Sequence, residues 1–346
     1  MDKVLTIVIP TYNMERYLGR CLSSLIVDDD LMQDLEVLVI NDGSKDKSSE
    51  IAHEFEQKYP KTFHVIDKEN GNYGSCINRG LTEARGKYIK VLDADDWFDT
   101  KNFIKFLTQL QMIDVDCIMS DMQEIDERGD CVLNATYSLP KEEIFPIDDL
   151  LNIRYPEGMW MHCVTYSTEN LRAINYHQTE GISYTDQEWI FLPMAICKTI
   201  YYFPKVVYYY LVGRNGQTVS LDVFRRNFWQ EIKGACVMAD EIKMAKNIST
   251  TAYNYLRERL RIRCYYIYSH FFVDFRMKIC YREMLILEKK IYETEPQVYA
   301  ALDNLYRIEP IKYHYVKHWR EKNYPRSLWP FKIALWIGGL KRLLTK

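Results

Sequence analysis

The stretch Ile89-Lys90-Val91-Leu92-Asp93-Ala94-Asp95-Asp96-Trp97 decides the reading. A largely apolar run leads into three carboxylates within four positions, the pattern of a buried strand ending in a polar turn. Like charges crowded at such a strand end are costly unless a cation or hydrogen-bond donors offset them. A divalent metal is the economical answer. Mg2+ or Mn2+ takes a few oxygen ligands, keeps positions open for phosphate oxygens and neutralises charge on a departing diphosphate. The same residues would equally serve as a solvated acidic loop capping the next helix, so the neighbouring sequence has to decide.

Outward from there, short β-branched runs alternate with segments of helical period between residues 4 and 117, as βαβ units do. Strands are expected at 5–9, 36–40, 63–66, 88–92 and 115–119. The first four end in Pro10-Thr11-Tyr12-Asn13, Asn41-Asp42-Gly43-Ser44, the stretch 68–74 and Asp93-Ala94-Asp95-Asp96. Ligands of open α/β sheets bind beyond the carboxyl ends of strands, so all four face one crevice. Asn41-Asp42-Gly43-Ser44 alone passes for an ordinary capped turn. The glycines of Asn70-Gly71-Asn72-Tyr73-Gly74-Ser75-Cys76-Ile77-Asn78-Arg79-Gly80 would let backbone approach a ligand at a helix start. That segment is neither a Walker loop nor a dinucleotide fingerprint.

The chain's 346 residues leave room for a catalytic domain and a smaller second unit. Residues 120–215 are less regular and carry Trp160, His162, Asp186, Glu188 and Arg214. Beyond 220 the texture is helical, with Cys280, Met284, Leu287 and Ile291 recurring on one helix face. The expected division is a catalytic domain at 1–220, a helical unit at 221–325 and a basic aromatic tail at 326–346. Lys plus Arg number 45 against 48 Asp plus Glu, and a net charge of -3 sets up no field that would gather nucleic acid. Nine scattered cysteines without a CxxC pair argue against a zinc site or disulfide framework and suit a reducing compartment. The amino terminus has no secretory pattern, and no run of about 18 to 20 apolar residues could span a membrane, so a cytoplasmic location is expected. After Glu321 no acidic residue follows, while Lys and Arg alternate with Trp329, Ile333, Trp336, Ile337 and Leu340. Such a tail fits an interfacial anchor on a membrane surface, or a segment docking on its own helical unit.

Taken in order and spacing, these segments resemble glycosyltransferase family 2. The matching pieces are Ile7-Val8-Ile9-Pro10-Thr11-Tyr12-Asn13, Val39-Ile40-Asn41-Asp42-Gly43-Ser44, 71–80 with Asn78, Gly86-Lys87-Tyr88-Ile89 and Leu92-Asp93-Ala94-Asp95-Asp96. The resemblance is strong over roughly 4–100 and weaker to about 220. It implies an α/β GT-A (Rossmann-like) fold, a mostly parallel sheet flanked by helices, followed by the smaller helical unit. It also implies site residues. Pro10, Thr11 and Tyr12 would border the nucleobase cleft, Asp42 would accept a hydrogen bond from the base, and Asp93, with Ala94 beside it, would reach the ribose side. Asp95 falls where the family's metal-binding acid lies, with Mn2+ or Mg2+ as cofactor. Lys68, Gly74 and Asn78 would contact the nucleotide or shape its loop. Ser75-Cys76-Ile77-Asn78 departs from the Ala-Arg-Asn of many relatives, so an arginine contact is missing or supplied from elsewhere.

Further on, Gly181-Ile182-Ser183-Tyr184-Thr185-Asp186-Gln187-Glu188-Trp189 resembles the family segment whose Glu-Asp pair holds the catalytic base. Thr185 stands in place of the Glu and leaves Asp186 as the base, a carboxylate able to take the proton of an acceptor hydroxyl. Asp186 could instead simply cap a helix. Tyr209-Tyr210-Leu211-Val212-Gly213-Arg214-Asn215-Gly216-Gln217-Thr218-Val219-Ser220 resembles an element near the diphosphate, where Arg214 would complement phosphate oxygens. The resemblance thus implies inverting transfer from a nucleotide diphosphate sugar, UDP-linked since Asp42 suits a uracil edge. The acceptor is expected to be a hydroxyl of a glycan, lipid-linked in view of the tail. A polyprenyl-phosphate sugar synthase of the same fold and a non-catalytic nucleotide-sugar-binding module are the alternatives. A haloacid dehalogenase-type phosphatase fits poorly, because Trp97 stands where its motif carries Thr or Val.

Overall fold

The β-branched runs expected as strands are strands, and the first four form one side of the sheet. β1 (Lys3–Thr11), β2 (Leu35–Asn41), β3 (Phe63–Asp67) and β4 (Gly86–Val91) lie parallel in the order β3-β2-β1-β4. β2 is buried throughout, as are Leu5, Ile7, Val8 and Ile9 of β1, the continuous apolar filling of strands covered on both faces. The structure, a computed structural model, describes residues 3–152, 159–214, 221–306 and 313–328. The expected phosphate-side loop 215–220 and the tail from Trp329 onward lie outside the described residues.

Past β4 the sheet becomes mixed. The order continues β4-β9-β6-β10-β5, with β5 at Trp97–Phe98, β6 at Cys117–Asp126, β9 at Val164–Ser167 and β10 at Thr199–Val212. β7 (Cys131–Ala135) pairs with β6 and β8 (Ile144–Pro146) with β10. β9 runs antiparallel to both β4 and β6, with Tyr88 opposite Ser167 and Ile89 opposite Tyr166. Its first residues therefore arrive at the carboxyl end of β4. β10 shifts register against β6 between Phe203 and Tyr208, around Pro204, and its far half meets β5 with Tyr208 opposite Phe98. Bulges of this kind bend a strand and re-aim its side chains, and this one brings Tyr208 to the residues after β4.

The helix Asn72–Glu83 follows β3 and buries Cys76, Ile77 and Leu81. Thr100–Met112 starts at Asp99, whose side chain accepts from Asn102 N at 2.8 Å, and buries Phe103, Phe106, Leu107 and Leu110. The chain divides into two compact units, 1–217 and 218–346. In the second, the helices Leu221–Met244, Thr250–Ser269, Tyr281–Thr294, Pro296–Leu302 and Tyr315–Glu321 enclose Leu256, Leu260, Phe271, Phe272, Leu287, Ile291 and Trp319. Of the four positions of helical recurrence, Met284, Leu287 and Ile291 are fully buried there, whereas Cys280 stands at the cap position before the helix and is only partly buried. Among the described residues no helix is long and apolar enough to cross a membrane. All nine cysteines are unpaired thiols.

Candidate active site

The four strand-end segments meet at one edge through backbone hydrogen bonds. Asp42 N donates to Thr11 O at 2.8 Å, Lys68 N to Asn41 O at 3.0 Å, and Leu92 N to Val8 O at 3.0 Å. Pro10 and Thr11 close β1 opposite Ile40 and Asn41, and Thr11 is buried. Tyr12 is 47% exposed and, with Gly43, Lys45, Asp67, Lys68, Glu69 and Asn70, lines an open cleft of about 470 Å³. Gly43 has φ +75°, a conformation that favours glycine.

Asp42 is only 3% exposed, and three donors of the chain already hold it: Lys68 Nζ at 2.5 Å, and Gly71 N and Asn72 N at 2.9 Å each. Lys68 Nζ also donates to Ser75 Oγ at 2.9 Å. Asp42 and Lys68 thus fix the loop before the helix Asn72–Glu83. Gly74 admits protein rather than open space, since a Cβ there would stand 2.3 Å from Thr179 O. Asn78 serves the same contact. Its Oδ1 accepts from Gln178 N at 2.8 Å, and its Nδ2 donates to Gln178 O and Glu180 Oε1 at 2.9 Å each. Gly74 and Asn78 together hold 177–180, the segment leading to Asp186.

The acid cluster lies at the end of β4. Tyr73 OH donates to Asp93 Oδ1 at 2.7 Å, and Asp93 N donates to Tyr208 OH at 3.1 Å. Asp96 is 0% exposed and takes Tyr208 OH at 2.6 Å and Leu211 N at 2.8 Å. Asp95, also buried, accepts from Arg214 Nε at 2.5 Å. Ala94 between them is buried. Burial pushes the Asp95 carboxyl above its ordinary value, with Asp93 adding and Arg214 opposing. For Asp96 the rise is larger, again from burial first, then from Asp95 and Asp93. The carboxylates thus sit in an environment that penalises their charge.

A residue to which the sequence assigned no role completes the cluster. His162, on the short turn Met161–Cys163 before β9, points Nε2 at Asp93 Oδ2 across 3.6 Å. Its ring stacks on Tyr210 at 4.8 Å between centroids, and that of Tyr208 lies 4.8 Å away. His162 is 91% buried, and its Nδ1 has no hydrogen-bond partner. Asp93, Asp96 and His162 present ligand atoms within 4.8 Å of one another, a candidate metal site, while Asp95 beside them is bonded to Arg214. Two carboxylates and an imidazole suit a divalent cation that accepts both oxygen and nitrogen ligands. Nothing in the spacing pointed to His162, 66 positions beyond Asp96. Only the antiparallel entry of β9 brings it back.

Asp186 is exposed and opens the short helix Asp186–Trp189 rather than capping it; Thr185 stands at the cap position. Gln187 Nε2 donates to Asp186 Oδ2 at 3.2 Å. Burial raises the Tyr73 hydroxyl well above its ordinary value, followed by Asp93 and then Asp186. Asp186 therefore lies within electrostatic reach of the cluster. Glu188 is buried and accepts from Thr179 N at 2.8 Å.

The architecture and strand-end acids define a GT-A fold. Residues 6–149 match the family model described as Glycosyl transferase family 2, which marks this stretch as a domain of that family. Glycosyltransferase GlyA of Streptococcus pneumoniae serotype 4 is 36% identical over 99 residues, 29% of this chain and 14% of that protein. The minor teichoic acid biosynthesis protein GgaB of Bacillus subtilis is 38% identical over 91 residues, 26% of this chain and 10% of that protein. The match thus spans a small part of each of these relatives. S. aureus TarS 1-349, solved in complex with UDP-GlcNAc, superposes with a TM-score of 0.71 and 20% identity, over 93% of this chain and 89% of that one. At that identity the likeness is one of fold.

Proposed function

We propose that this chain transfers a sugar from a UDP-sugar to a hydroxyl of a growing surface glycan, with inversion at the anomeric carbon. The observation that carries the reading is the gathering of Asp93, Asp95, Asp96 and His162 at the carboxyl end of β4, where a diphosphate would be repelled without a cation. UDP is assigned because TarS, of the same fold, was solved with UDP-GlcNAc. GgaB and the basic aromatic tail support a lipid-linked polymer at the cytoplasmic membrane face as acceptor. In this reading the base stacks at Tyr12 in the cleft shared with Asp67 and Lys68, and Asp93, Asp96 and His162 hold a divalent cation. That cation would offset the negative charge of the diphosphate as UDP leaves. Arg214 moves from Asp95 to a phosphate oxygen, freeing Asp95 for the same cluster.

Asp186 is the base. Asp93, Asp95, Asp96 and Glu188 are each held by a distant part of the chain, whereas Asp186 is exposed and bonds its neighbour Gln187. Its carboxylate takes the acceptor's hydroxyl proton as that oxygen bonds to the anomeric carbon and the bond from that carbon to the UDP oxygen breaks. Calorimetry with UDP tests the donor site. Binding should require Mn2+ and be lost in Asp93→Ala. Equal affinity in EDTA, or a fully competent Asp93→Ala protein, would overturn the metal-assisted site.

A further inference from the structure

Lys90 lies in the middle of β4 and is 0% exposed. Among the described residues its ammonium meets no carboxylate within ion-pair distance. It donates to His162 O at 2.6 Å and Val164 O at 3.3 Å, and stands 5.9 Å from the centroid of the Tyr208 ring. A buried ammonium without a counter-ion is costly, and an apolar side chain of similar length would fill the space at lower cost. The position therefore calls for an explanation other than packing. Both carbonyls belong to the crossing from the turn Met161–Cys163 into β9. That crossing decides where the His162 ring stands, because Nδ1 makes no hydrogen bond that could orient it. Stacking on Tyr210 and the tilted contact with Tyr208 restrict the plane of the ring, but its depth relative to Asp93 follows the main chain.

We propose that Lys90 is a positioning residue, whose ammonium clamps the main chain of His162 and thereby sets the imidazole against Asp93 for the donor's cation. The inference rests on the donor-site reading above. It assigns Lys90 no contact with donor or acceptor. Partners that orient a metal-binding side chain are typically worth about 10- to 100-fold in metal affinity.

The test is a double-mutant cycle on Lys90→Met and His162→Ala, reading the apparent Mn2+ dissociation constant by calorimetry at saturating UDP, with melting temperature measured in parallel. Lys90→Met should weaken Mn2+ by roughly 10- to 100-fold. In the His162→Ala background it should add nothing, because the clamp acts through the imidazole. Lys90→Gln, which keeps an uncharged N–H donor group, should recover part of the loss, and it carries the test if Lys90→Met does not fold. A residue that only fills space would give losses that add in the double variant. Additive losses, or Mn2+ affinity unchanged in both Lys90 variants, overturn the proposal. If the parent protein binds UDP equally with and without Mn2+, the donor-site reading fails instead.

Discussion

Asp186 and Glu188 stand two positions apart with opposite surroundings, and that difference separates catalysis from architecture. Asp186→Asn keeps the size and the hydrogen-bonding oxygen but cannot take a proton at neutral pH. Transfer should fall by about 10² to 10⁴ in kcat, the usual contribution of a positioned base, with UDP affinity unchanged. Glu188→Gln can still accept from Thr179 N, so it should lower the melting temperature slightly and keep most activity. An inactive Glu188→Gln beside an active Asp186→Asn would reverse the assignment. The two residues also mark how far the sequence could be read. Asp93, Asp95, Asp96 and Asp186 were legible because charge crowding and motif order are local. That Asp42 would be spent on Lys68 and two loop amides, and that Arg214 would lie on Asp95, depends on contacts between distant segments.

Elements show the same limit. The first four strands could be read from continuous apolar runs, whereas β9 and the bent β10 could not, since their direction is set by pairing. One side chain does much to fix that pairing. Asp116, just before β6, accepts from Lys198 N at 2.6 Å, Thr199 N at 3.0 Å and Asn170 Nδ2 at 2.7 Å, tying the start of β10 and the helix Thr168–Ala173 to β6. Burial raises its pKa, but the bonds from Lys198, Asn170 and Thr199 outweigh this, and the net shift is downward. A lowered native pKa gives stability that is present above the unfolded value and lost as pH falls through the native one. Asp116→Asn should therefore cost about 1–2 kcal/mol at neutral pH, the scale of a lost charge-assisted hydrogen bond at a half-exposed site. The gap between parent and variant should persist down to about pH 4, near the ordinary carboxylate pKa, and narrow below it. Urea unfolding at stepped pH measures this, and a gap that closes between pH 7 and 5 would contradict the assignment.

At the scale of the whole molecule, every candidate site residue from Pro10 to Arg214 falls within the first compact unit. Donor binding should therefore be visible as stabilisation of the folded protein without any acceptor. A ligand that binds only the native state stabilises it by RT ln(1 + [L]/Kd), about 2.7 kcal/mol at a hundredfold excess over Kd. For a unit of some 200 residues that is a rise of roughly 5–11 °C in melting temperature, at about 2–4 °C per kcal/mol. The buried carboxylates add a condition, because their charge is penalised where they stand. UDP alone would bring two phosphates towards that charge, and Mn2+ alone would leave coordination positions to water. The shift with both together should exceed the sum of the separate shifts. UMP, which lacks the second phosphate, should lose most of that synergy. In His162→Ala the synergy should shrink, measured against that variant's own ligand-free melting temperature, which should fall because a buried, stacked ring is lost. Purely additive shifts for UDP and Mn2+, or equal synergy with UMP, would show that the cation does not join the diphosphate to the end of β4.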